Sequence, residues 1–304
     1  MSDYDKPEKE ISSRAIPQEA FDWYDEYAHG VIDRREFLKR LSGLAALGFT
    51  MTTLTSSLIP NYALAEQVNF NDEDILPQYI TFPSPKGHGE GGGYLVQPTT
   101  PGPYPVVLVI HENRGLNPYI EDVARRLAKL GFMAFAPDAL YSLGGYPGND
   151  DKGREMQKSL DKRKIEEDFI AAAGFLKSHE LSTGKLGTVG FCFGGYIVNM
   201  LAAVMPDDVD ASVPFYGTPP SEGIRNQVKG PIMLHFAELD KRVNATWPDY
   251  EKVLKASGAH YGAFIYQDVN HGFHNDSTGR YDPDEAEKAW QRSIVFFNEH
   301  LKRV

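Results

Sequence analysis

The sequence predicts an α/β protein with a mostly parallel central sheet flanked by helices on both faces. Three observations predict it. The run VVLVIH, Val106 to His111, is apolar, rich in β-branched residues and uninterrupted, the mark of a strand buried on both faces. From there to the end of the chain, short apolar runs alternate with longer stretches of helical periodicity, as strand–helix–strand units require. A length of 304 residues with 41% hydrophobic and 12% aromatic content is enough for one sizeable core.

The elements follow in order. YITFPSP and GGGYLVQP read as two short strands joined through the glycine-rich PKGHGEGG, a hairpin by its turn chemistry. VVLVIH comes next, then NPYIEDVARRLAKLG, with apolar residues at helical spacing and a closing Gly131. FMAFAPD is a strand, and the charged stretch from Lys152 to Glu180 reads as one helix. KLGTVGF is a strand that runs directly into GFCFGG. ASVPFYG, PIMLHFAELD and YGAFIYQDVNHGF supply the remaining strands, with a helix through YEKVLKASG and a final amphipathic helix from about Pro283 to Arg303.

Charge and composition narrow the function classes. A formal charge of −11, with no basic block except near residue 34, excludes a nucleic-acid partner, since phosphate neutralisation needs clustered Lys and Arg. The single cysteine cannot form an intrachain disulfide. No cofactor and no metal is expected, and the partner is a small molecule.

Residues 1–65 read as a segment apart from the domain at 66–304. DRREFLKR carries consecutive Arg34 and Arg35, and the twenty residues after it, LSGLAALGFTMTTLTSSLIP, hold no charge. This resembles a twin-arginine export signal, and Ala63-Leu64-Ala65 offers a small-x-small site for cleavage after Ala65. The expectation is delivery to the periplasm by the twin-arginine machinery. Against it stands the long acidic stretch ahead of the arginines, where such signals have a short basic leader. An amphipathic helix with an incidental arginine pair, and hence a cytoplasmic protein, is the plain alternative; an uncleaved membrane anchor is a third.

Three chemically active residues stand at predicted strand ends, where ligand sites lie in such sheets. Cys192 follows KLGTVGF, Asp240 ends PIMLHFAELD, and His271 follows YGAFIYQDV. Gly190, Gly194 and Gly195 let the chain turn sharply from strand to helix, and the helix start points amide groups at the sulfur. His271 then takes the thiol proton, Asp240 fixes its tautomer, and the amide of Phe193 forms part of an oxyanion hole. Taken singly, Cys192 reads as a packing residue, His271 as a core histidine and Asp240 as a helix cap. Their joint placement favours catalysis. Glu112, in HENRG after VVLVIH, is either a hydrated acid at a strand end or a carboxylate that helps deprotonate the thiol.

IHENRG, GFMAFAPDALY, GFCFGG, AELD and HGFHND with YDPDEAEKAWQRSIVFF together resemble the dienelactone hydrolase (carboxymethylenebutenolidase) family. The resemblance spans nearly all of residues 78–304. It implies an α/β-hydrolase fold, whose triad runs nucleophile, acid, histidine along the chain, as Cys192, Asp240 and His271 do here. It also implies that Glu112 helps activate the thiol, that the oxyanion hole is completed by the amide of Asn113, and that an acyl-cysteine forms on an ester or lactone.

The family's namesake substrate is held by arginines after the P-D-x-Y segment and after the catalytic histidine. PDALYSLGG has no arginine, and HGFHND offers His274, Asn275 and Asp276, with Arg280 further on. A substrate other than dienelactone is therefore expected, with Tyr141, Arg114 and His274 as candidate pocket residues. Two other readings remain at this level: an exported binding protein that keeps the fold without catalysis, and metal binding by His271 and His274, which lacks a third ligand.

Overall fold

The computed structural model describes residues 16–44, 49–51, 54, 58 and 60–302. They belong to two units, Met1–Pro60 and Asn61–Val304.

In the first unit, α1 (Gln18–Ala28) and α2 (Arg34–Gly43) pack through Tyr24, Ala28, Phe37 and Leu41, with Leu44, Leu54 and Leu58 in the same core. Asp33 starts α2 by accepting from the amide of Glu36 at 2.8 Å. Arg40 reaches Glu26 at 2.7 Å and Glu36 at 3.0 Å, tying the second helix to the first. Arg34 and Arg35 lie on the exposed side of α2. The uncharged stretch 41–60 falls partly outside the described residues. Among those described, no helix is long and apolar enough to cross a membrane.

The second unit begins with a short α3 (Tyr62–Ala65). The amide of Asn61 donates to Ser277 O at 2.6 Å and Tyr62 Oη donates to Asp150 at 2.9 Å, so residues 61 and 62 are anchored here. The division therefore precedes the expected boundary at Ala65. The elements are β1 (Ile75–Ser84), β2 (Gly89–Pro98), β3 (Tyr104–Ile110), α4 (Pro118–Lys129), β4 (Met133–Pro137), α5 (Asp150–Ser159) and α6 (Lys162–Lys177). They continue with β5 (Ser182–Phe191), α7 (Phe193–Val204), β6 (Ala211–Phe215), β7 (Ile232–Ala237), α8 (Lys241–Asn244), α9 (Trp247–Ser257), β8 (Tyr261–Tyr266) and α10 (Pro283–Leu301).

The strands form one sheet in the order β1-β2-β4-β3-β5-β6-β7-β8. The β1–β2 hairpin pairs antiparallel with itself and with β4; every other pair is parallel. Alternate residues of β3 explain its continuous hydrophobicity. Val107 and Val109 join α4 and α10 in one core, while Val106, Leu108 and Ile110 join α6 and α7 in the other. Both faces are covered, so neither alternate position tolerates a polar side chain.

The stretch read as one helix is two. The chain turns extended at Leu160, with ψ of 153°, and Asp161 accepts from the amide of Arg163 at 2.8 Å to start α6. The capping aspartate, in a stretch that otherwise keeps helical periodicity, is what divides it. The parallel strands β3, β5, β6, β7 and β8 end along one edge of the sheet, and the loops after them carry Glu112, Cys192, Tyr216, Asp240 and His271.

Candidate active site

Cys192 joins β5 to α7 with φ of 57° and ψ of −111°. A positive φ is costly for any residue with a side chain and persists only where the surroundings enforce it. Here they do. The Cys192 amide donates to Phe215 O at 3.1 Å, and its carbonyl accepts from the Tyr196 amide at 3.1 Å, opening the helix. The first turn of α7 rides directly on the ends of the neighbouring strands: a Cβ on Gly194 would stand 2.1 Å from Ile110 O, and one on Gly190 would stand 2.3 Å from Gly194 O. The amide of Phe193 is at the helix start, among the groups that have no acceptor within the helix.

His271 and Asp240 meet across the ends of β8 and β7. Nδ1 of His271 lies 2.5 Å from Oδ2 of Asp240, and both side chains are buried. Oδ1 of the same carboxylate accepts from the Val243 amide at 3.0 Å, capping α8. With the proton fixed on Nδ1, Nε2 is the basic nitrogen. The sulfur of Cys192 stands within 4.8 Å of a ring nitrogen of His271.

Glu112 is fully buried. Asn275 Nδ2 donates to both of its oxygens at 3.3 Å, and Arg114 Nε lies 3.3 Å from Oε2. Arg114 also reaches Asp150 at 2.8 Å, and Asp150 accepts from Tyr62 and, at 2.7 Å, from Tyr146. Burial alone would push the Asp150 carboxyl upward, but the Arg114 charge and the hydrogen bonds from Tyr146, Arg114 and Tyr62 hold it below the usual carboxylate range.

This chain, with its strand order and its nucleophile on a strained turn before a helix, matches the dienelactone hydrolase family over residues 92–301. It belongs to that family. Protein usf of Aquifex pyrophilus is 38% identical over 219 residues, covering 69% of this chain and 93% of that one. A Bradyrhizobium protein named a probable 2-oxo-3-(5-oxofuran-2-ylidene)propanoate lactonase is 31% identical over 224 residues, 68% of this chain and 89% of its own. The solved dienelactone hydrolase of Anabaena variabilis superposes with a TM-score of 0.60 at 19% identity, over 75% of this chain and 100% of that one. The fold is that of the α/β-hydrolases, and the protein is a hydrolase of esters or lactones. A second, shorter match, to a family described as YqhI-like, covers residues 8–46.

Within this dienelactone hydrolase framework the expected pocket residues separate. Arg114 is buried and shared between Glu112 and Asp150. Tyr141 is partly exposed; its hydroxyl donates to Glu90 at 3.0 Å and its ring lines a cavity of about 560 Å³ with Tyr79, Glu121 and Tyr146. Neither Cys192 nor His271 lines that cavity. His274 is packed among Phe191, Phe215 and Trp290, with Nδ1 2.7 Å from Tyr119 Oη. Burial, and behind it the charge of Arg126, holds its ring far below the usual histidine range, so it is neutral. His271 and His274 thus turn to different partners, as a shared metal would not allow.

The sequence reading missed four residues. Asn275 braces Glu112, Asp150 shares Arg114, and Tyr216 stacks on His271 with ring centroids 4.8 Å apart. Arg280 folds back from beyond HGFHND: its guanidinium is buried, and a Cβ on Gly272, next to the histidine, would meet it at 3.1 Å. Only Tyr216 left a signal, since it directly follows a strand, ASVPF, that ends at the site.

Proposed function

We propose that the protein hydrolyses an ester or lactone by attack of Cys192 on the carbonyl. His271 Nε2 takes the thiol proton, and the sulfur forms the new bond while the carbonyl oxygen gathers negative charge before the amides of Phe193 and Asn113. The tetrahedral adduct collapses, and His271 returns the proton to the leaving alcohol. Water, deprotonated by the same nitrogen, then attacks the acyl-cysteine and releases the acid. Asp240 keeps the ring in the required tautomer throughout. Glu112, held by Asn275 and Arg114, sets the negative potential against which the thiol ionises. The observation that carries this reading is the strained φ of Cys192 joined to the 2.5 Å contact between His271 and Asp240: a packing cysteine needs neither.

The test is turnover of short-chain p-nitrophenyl esters by the full chain and by Cys192→Ala. The variant is expected to lose activity by several orders of magnitude; equal turnover would remove the cysteine mechanism and favour a binding protein that merely keeps the fold.

A substrate other than dienelactone is supported by the absence of an arginine in PDALYSLGG and by the internal pairing of Arg114. Arg280 supports a second reading, a lactone that bears a carboxylate, because it brings a buried cation beside the catalytic histidine. Comparing matched lactones with and without the carboxylate decides between them.

Export through the twin-arginine route is a separate part of the proposal, supported by the exposed Arg34 and Arg35. A helical pair with a buried core of its own is unlike an extended leader, so the test is direct. Arg34→Lys with Arg35→Lys retains the protein in the cytoplasm if the pair is the signal, and leaves its distribution unchanged if it is not.

A further inference from the structure

We propose that Tyr216 is an additional catalytic residue, its phenol donating a hydrogen bond to an oxygen of the ester or lactone group held against Cys192. The inference rests on the cysteine-hydrolase reading above and extends it to a residue outside the triad.

Tyr216 is the first residue after β6, between the loops that carry the nucleophile and the acid. Its backbone is fixed to both. The Tyr216 amide donates to His235 O on β7 at 2.7 Å, and the carbonyl of the preceding Phe215 accepts from Cys192. It adopts φ of 38°, in the left-handed region that an aromatic residue rarely enters. Its ring is wedged between His271, at 4.8 Å, and Phe273, at 5.8 Å. The side chain is therefore held rigidly, at the cost of backbone strain, and it is 1% exposed.

The hydroxyl of so confined a ring should have an acceptor, yet Tyr216 Oη has no hydrogen-bond partner among the described residues. Leaving a buried hydroxyl unsatisfied costs about 1–3 kcal/mol. A residue needed only to pack would lose nothing as phenylalanine. The charged groups that act on the phenol show where it points: Glu112 and Cys192 first, then Arg280 and Arg114. It thus faces the space between the thiol and Glu112, where the reacting group must lie. Burial, followed by those two negative neighbours, keeps the phenol protonated well beyond the ordinary tyrosine range, so at neutral pH it is a donor. A neutral donor fixed beside a carbonyl that becomes an oxyanion strengthens as the charge develops.

The experiment is Tyr216→Phe in the full chain, with three readouts: turnover of p-nitrophenyl acetate and of a simple lactone, alkylation of Cys192 by iodoacetamide, and thermal melting. The expected result is a loss in kcat/KM of about 100-fold, the order found for removing one oxyanion donor. Alkylation is expected to be unchanged, because that reaction has no acyl oxygen to bind. The melting temperature is expected to be equal or higher, because an unsatisfied buried hydroxyl has gone. Turnover within twofold of the unsubstituted protein overturns the inference, as does a parallel fall in alkylation or melting temperature, which would mark a structural role. If the unsubstituted protein turns over neither substrate, the hydrolase reading itself fails; if it does and only the variant comparison is flat, the failure belongs to Tyr216 alone.

Discussion

Asp240 divides its carboxylate between two tasks: Oδ2 lies 2.5 Å from the imidazole Nδ1 of His271, and Oδ1 accepts from the amide of Val243 at 3.0 Å. Helix capping and histidine orientation, alternatives at the level of sequence, are one arrangement in the fold. The cap holds the carboxylate rigid, and the rigid carboxylate holds the ring.

Asp240→Asn separates the tasks. The amide oxygen still caps α8, but its NH₂ group favours the wrong histidine tautomer. Turnover is expected to fall about 10³–10⁴-fold while the melting temperature stays close to that of the unsubstituted protein. Asp240→Ala should lose both, with a further destabilisation of about 1 kcal/mol from the missing cap. Equal melting temperatures for the two variants would show that the cap contributes nothing.

Arg114 neutralises two buried carboxylates, those of Glu112 and Asp150. Arg114→Met leaves both without it, which costs about 3–5 kcal/mol for a buried pair broken on one side. In a domain of this size the melting temperature should fall by about 10 °C. Asp150 is held below its ordinary value, so its contribution is present at neutral pH and lost only as pH falls through that lowered value. The difference between the two proteins should therefore shrink in acid. A shift of under 2 °C in melts at neutral pH, an order-of-magnitude threshold well below the expected loss, would contradict the network.

Three buried histidines bear on acid stability. Burial lowers His111, His235 and His274, with His235 reaching about 3. The unfolded chain takes up protons on them below about pH 6.5 while the folded chain does not, so stability is complete above that pH and declines as pH falls. Glu121 and Asp276, raised by burial, work in the opposite direction nearer pH 4. Urea unfolding should give a lower free energy at pH 5 than at pH 7.5, and a smaller decline in His274→Gln. A decline of the same size in the variant would show that His274 does not contribute.

Gly194 and Gly174 make a contrasting pair. A Cβ on Gly194 would stand 2.1 Å from the backbone oxygen of Ile110, whereas one on Gly174, inside α6, would have nothing within 4 Å. Gly194→Ala must lift the start of α7 away from the sheet, so activity is expected to fall at least about 100-fold, as for misplaced reacting groups, with a loss of stability. Gly174→Ala should stabilise by about 0.5–1 kcal/mol without touching activity. Wild-type activity in Gly194→Ala would mean that the turn does not depend on this close approach.

The sheet and the triad positions were legible because both are local signals. A strand buried on both faces shows as an unbroken run, and Cys192, Asp240 and His271 each sit directly after such a run. The network around Glu112 was not legible. Asn275, Arg114 and Asp150 reach one another across long stretches of sequence, and nothing in HENRG announces that its arginine is committed to an aspartate in the next loop but one. His274 misled for a related reason. It lies three residues from His271, but the backbone turns between them, Gly272 at φ of 86°, and sends the second ring into the aromatic core. The turn that carries Arg280 back toward Gly272 left no periodic trace either.

The most direct test of the central claim is trapping of the intermediate. The full-length protein is mixed with excess p-nitrophenyl acetate, quenched in acid at short times, digested and analysed by mass spectrometry. An acetyl group on the peptide that contains Cys192, formed with the burst of nitrophenolate and absent from Cys192→Ala, is the predicted result. Steady ester turnover with no acyl adduct on that peptide, or an adduct on another residue, would contradict it.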